Sequence, residues 1–152
     1  MVSQMKEAKQ SSPQAPGDPK RLEALRAQLL KLHKALLDSE RVEYEKTIGK
    51  IQSPNHFLQL LIGDPWFAWL QPISQLIVAM DEAMDGKEPV TLSGIEALKQ
   101  QTRRLLVASD EGEGFSKHYS DALQRDPDVV LAHAAAARLF NAHVPAPPKE
   151  EQ

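Results

Sequence analysis

Leu22, Leu25, Leu29, Leu32 and Leu36 recur at alternating spacings of three and four residues. That period lines apolar side chains along one face of an α-helix. A second stripe, Leu30, His33, Leu37, Tyr44, Ile48 and Ile51, runs along an adjacent face. Together they predict one long helix from Lys20 to about Lys50, stopped by Gly49 or by Ser53-Pro54. A helix apolar on two faces is an element for others to pack on.

Prolines announce the next helices. Ser53-Pro54, Asp64-Pro65 and Asp126-Pro127 each set an N-cap side chain before a first-turn proline. They predict helices at 54–62, 65–85 and 127–143, with Gly63 and Gly86 expected in the left-handed C′ position. Thr91 caps a further helix, 92–108, with Leu92, Ile95, Leu98, Thr102 and Leu105 inward, and Phe115, Tyr119, Ala122 and Leu123 predict another over 114–125. Pro72, seven residues into its helix, cannot donate to the carbonyl four back, so a kink is expected near Ala68. No alternating β-branched run is bounded by turns. The expected fold is all-α, a single bundle of five to six helices with a long N-terminal helix.

At 152 residues the chain is long enough for one domain. Residues 1–19 hold Pro13, Pro16 and Pro19 among serines and glycine, and they read as a disordered leader without the apolar core of a secretory signal. Residues 144–152, with Pro145, Pro147, Pro148 and Lys149-Glu150-Glu151, read as a solvated, proline-stiffened tail. The folded body is therefore expected over 20–143. Zero cysteines exclude disulfides, thiolate metal sites and a cysteine nucleophile. A net charge of −3 lacks the electrostatic footprint of a nucleic-acid surface.

Between Lys50 and Asp81 the only formally charged residue is Asp64, and Phe57, Trp66, Phe67 and Trp69 fall in the same stretch. Gln59, Asp64, Gln71, Ser74 and Gln75 interrupt it before it reaches the roughly 18 apolar residues of a membrane span. Two accounts fit. Helices apolar all round are usually buried, which makes this the centre of the bundle. Alternatively, Trp66, Phe67 and Trp69 stay exposed as a protein-docking patch within the 54–80 segment.

Candidate chemistry is sparse. No histidine has an acidic residue three before it or a second histidine four after it, so the helical metal signatures are missing. A site assembled across helices is the alternative: His33 and His133 both sit on apolar stripes, and Glu40, Glu43 or Tyr119 would lie near if they converged. Otherwise each is a core-edge histidine bonded to a neighbour. Asp110-Glu111-Gly112-Glu113-Gly114 fails the spacing of a calcium loop and reads as a flexible acidic linker. Phosphate-binding glycine loops and a nucleophile elbow are missing too. The basic residues of the first helix alternate with acidic ones, as on a solvated face.

Ala122-Leu123-Gln124-Arg125-Asp126-Pro127-Asp128 followed by a helix resembles the junction between tetratricopeptide repeats, although no second copy stands at the 34-residue period. More broadly, Leu32-His33-Lys34-Ala35-Leu36-Leu37-Asp38, Asp64-Pro65-Trp66-Phe67-Ala68-Trp69-Leu70 and Gln124-Arg125-Asp126-Pro127 are similar to stretches of small bacterial all-helical proteins of unassigned function. That resemblance implies a bacterial cytoplasmic helical protein and brings no site residues with it. The expectation is a non-enzymatic interaction module that binds a protein partner or itself, with no cofactor, no nucleic acid and no membrane span. The alternative is a metal- or small-ligand-binding bundle using His33 and His133.

Overall fold

The chain's structure is a computed structural model that describes residues 15–142, and the expected tail, with His143 and the leader up to residue 14, lies outside them. The described residues form α1 (Pro19–Thr47), α2 (Pro54–Gly63), a 3-10 helix (Pro65–Leu70), α3 (Gln71–Asp85), α4 (Leu92–Leu105), α5 (Phe115–Arg125) and α6 (Pro127–Asn141). The fold is all-helical, with a long first helix of about 44 Å at 1.5 Å per residue. No helix among the described residues is long and apolar enough to cross a membrane.

Proline junctions set the helix starts. Ser53 accepts from the His56 N–H at 3.0 Å, Asp64 from Trp66 at 2.8 Å and Asp126 from Asp128 at 2.9 Å. Thr91 does the same for Gly94 at 2.9 Å. Asp18-Pro19 is a fourth junction of the same kind, with Asp18 accepting from Lys20 at 3.0 Å. It lies inside the segment expected to be leader. Ala15 to Gly17 are likewise held against the chain before α4: the Gly17 N–H donates to the Val90 carbonyl and the Leu92 N–H to the Ala15 carbonyl, each at 2.9 Å.

Three expectations need correction. Neither Gly63 nor Gly86 adopts the left-handed conformation: Gly86 has φ −66°, and the positive-φ glycines are Gly49 and Gly114. Helix α2 stops because Asp64 precedes a proline and is held extended, at φ −89° and ψ 133°. The helix expected over 65–85 is also not one kinked helix. It is a 3-10 helix followed by α3, and Pro72 falls in the first turn of α3, where no N–H is required. Finally, the acidic linker is tied down. Asp110 accepts hydrogen bonds from Ser120 and from Gln124, and the Ser109 N–H donates to the Ser116 carbonyl at 3.1 Å.

Leu22, Leu25, Leu29, Leu32 and Leu36 are all buried, and α1 packs most extensively against α6 and α3. Those helices contribute Val129, Ala136 and Phe140, and Ile73, Leu76, Ile77 and Met80. Of the second stripe only Tyr44 and Ile51 are buried, and Ile48, which is exposed, and Ile51 both lie beyond the end of α1. Two polar ties close the bundle. Arg125 at the end of α5 pairs with the buried Glu40 at 2.5 Å and donates to Ser39 at 3.0 Å. The buried Lys99 donates to the Ala142 carbonyl just beyond α6.

Candidate docking face and cleft

The 3-10 helix is an aromatic hub inside the fold. With three residues per turn it sends successive side chains to different neighbours. Phe67 packs between Tyr44 and Phe57, at centroid distances of 5.6 and 5.7 Å, and Trp66 meets Tyr44 edge-on at 5.6 Å. Trp69 turns toward α5, against Phe115 at 5.3 Å and stacked on His118 at 5.2 Å. Phe67 and Trp69 are buried, at 1% and 9% exposure, and Trp66 is half-buried. The indole N–H groups of Trp66 and Trp69 have no acceptor among the described residues, so packing alone holds them. Of the candidate docking residues Trp66, Phe67 and Trp69, the fold places Phe67 and Trp69 in the core and leaves Trp66 half-buried at its edge.

Helix α2 presents what the hub does not. None of its residues is buried and none is formally charged. Phe57, Leu60 and Leu61 lean on the core, and Arg41 covers the Phe57 ring at 5.2 Å. Leu58 and Ile62, one turn apart on the opposite side, are 53% and 70% exposed. Treating 54–80 as one aromatic-rich segment hides this division between the outer edge of α2 and the inward-facing 3-10 helix.

Beside α2 opens a cleft of about 300 Å³. Leu61 and Ile62 form one wall, Leu37 of α1 another, and Phe67 and Leu70 a third. Its polar corner is His33, 3.0 Å from the Ser74 hydroxyl, with Gln71 at the edge. Burial lowers the pKa of His33 and so favours the neutral ring.

His133 lies elsewhere. Its Nδ1 is 2.6 Å from the Tyr119 hydroxyl, and it lines a separate cavity of about 210 Å³ with Arg103 and Asn141. Burial lowers the pKa of His133 and raises that of Tyr119. Tyr119 was expected near these histidines and is in contact with one. Glu40 instead serves Arg125, and Glu43 pairs with Lys46 at 3.5 Å. The two histidines thus do not build one site, and among the described residues no group of three or more His, Asp or Glu side chains is placed to hold a metal ion. No family model, curated protein or solved structure matches the chain.

Proposed function

We propose that the protein is a helical interaction module whose docking face is the exposed edge of α2, Leu58 and Ile62 with Leu61 beside them, and that this face receives a second copy of the chain. The observation that carries the proposal is α2 itself, ten residues that the fold neither buries nor charges. Apolar side chains left adjacent in water gain when covered, at about 25 cal/mol per Å². Lack of charge favours the chain's own copy as occupant. Two such edges meet without like-charge repulsion, although each molecule carries a net charge of −3.

One short helix offers less than the roughly 800 Å² per partner of a standard interface, so the expected affinity is micromolar or weaker. Sedimentation velocity over a concentration series tests it. A dimer should populate as concentration rises, and Leu58→Glu should abolish it while leaving the far-ultraviolet circular dichroism and melting curve unchanged. A wild-type chain that stays monomeric throughout overturns the proposal.

A further inference from the structure

The cleft between α1, α2 and α3 has the makings of a ligand site that shares Leu61 and Ile62 with the α2 edge but not Leu58. Its walls are aliphatic and aromatic, from Leu37, Leu61, Ile62, Phe67 and Leu70, and its polar groups are Gln71 and the corner where His33 and Ser74 lie 3.0 Å apart. At about 30 Å³ for each water-sized group, the 300 Å³ volume holds roughly ten non-hydrogen atoms. None of the lining residues carries a formal charge. Lys34 and Asp38, on either side of Leu37 in α1, are paired with each other at 2.8 Å on the exposed side, Glu40 pairs with Arg125, and Arg41 lies over the Phe57 ring. An anion or a cation entering the cleft would lose its water without gaining a counter-charge.

We infer that this cleft binds a small, uncharged, mainly aliphatic molecule carrying one hydroxyl group, with the hydroxyl seated against His33 and Ser74. The corner suits a group that both donates and accepts. When the ring Nε2–H donates to Ser74, the serine hydroxyl proton is free to donate onward. When Ser74 donates to the ring, its oxygen lone pairs are free to accept. Burial keeps the imidazole in the uncharged form that makes this exchange available.

The probe is 1-octanol titrated into the whole chain, with octanoate and octylamine as charged counterparts of similar size, followed by calorimetry and by the amide resonances of α1 and α3. Saturable binding of the alcohol, weaker binding of both ions, and a three- to tenfold loss with Ser74→Ala are expected, as for one hydrogen bond. Leu37→Trp, which fills the cleft, should abolish binding, and Ser74→Ala carries the test if that variant fails to fold. Undiminished binding in Ser74→Ala, tighter binding of either ion, or no saturation overturns the inference. Leu58→Glu should still bind the alcohol, so loss of the dimer and loss of this site are separately visible.

Discussion

Trp69 and Ile62 are both large apolar residues in the same stretch, whose one formal charge is Asp64, yet one is core and the other is 70% exposed. Trp69→Ala should cost about 3–5 kcal/mol by urea unfolding, as removal of a buried aromatic does, whereas Ile62→Ala should change stability by less than about 1 kcal/mol. Similar costs for the two would mean that α2 is covered within the monomer. Residue type alone could not separate them in the sequence, because a large apolar side chain is compatible both with burial and with an exposed docking edge. Glu40 shows a second kind of illegibility. Its partner Arg125 is 85 residues away, so no local pattern announces the pair. Arg125→Ala should destabilise by about 3 kcal/mol because it strands a buried carboxylate. Its effect should be less than additive with that of Glu40→Ala in a double-mutant cycle.

The helix starts were legible at the scale of elements because each rests on chemistry within four residues. Ser53, Asp64, Thr91 and Asp126 all cap as their side chains dictate. Endings were less legible. Gly63 and Gly86 look like left-handed terminators, but the extended residue before Pro65 does that work at Gly63, while Gly86 itself ends α3 in an extended conformation. A glycine with a conformational duty is Gly114, at φ 62° and ψ −132°, where it delivers the Asp110 turn into α5. Gly114→Ala should therefore cost about 1–3 kcal/mol in thermal or urea unfolding. No loss would show that the turn can enter α5 by another backbone path. The split at Leu70 escaped the sequence because a proline in a first turn and one in a helix interior differ only by where the helix begins.

For the whole molecule, two half-buried histidines make acid a destabilising condition. Burial lowers the folded-state pKa of His33 and His133 from 6.5, so the unfolded chain binds more protons as pH falls below that value. Stability is fully present above pH 6.5 and declines until each folded-state pKa is passed. The urea midpoint should drop between about pH 7.5 and about pH 5, and a His33→Gln, His133→Gln double variant should flatten that drop.

On the proposed function, two chains should meet through α2 and not through the aromatic hub. The chain has no cysteine, so Asn55→Cys, on the same side of α2 as Leu58 and Ile62, creates a single attachment point for a nitroxide spin label. Double electron–electron resonance would then read the distance between labels on two copies. The expected result is one defined inter-label distance whose modulation grows with protein concentration and disappears with Leu58→Glu. A signal that never develops, or one that survives Leu58→Glu unchanged, would contradict assembly through this helix.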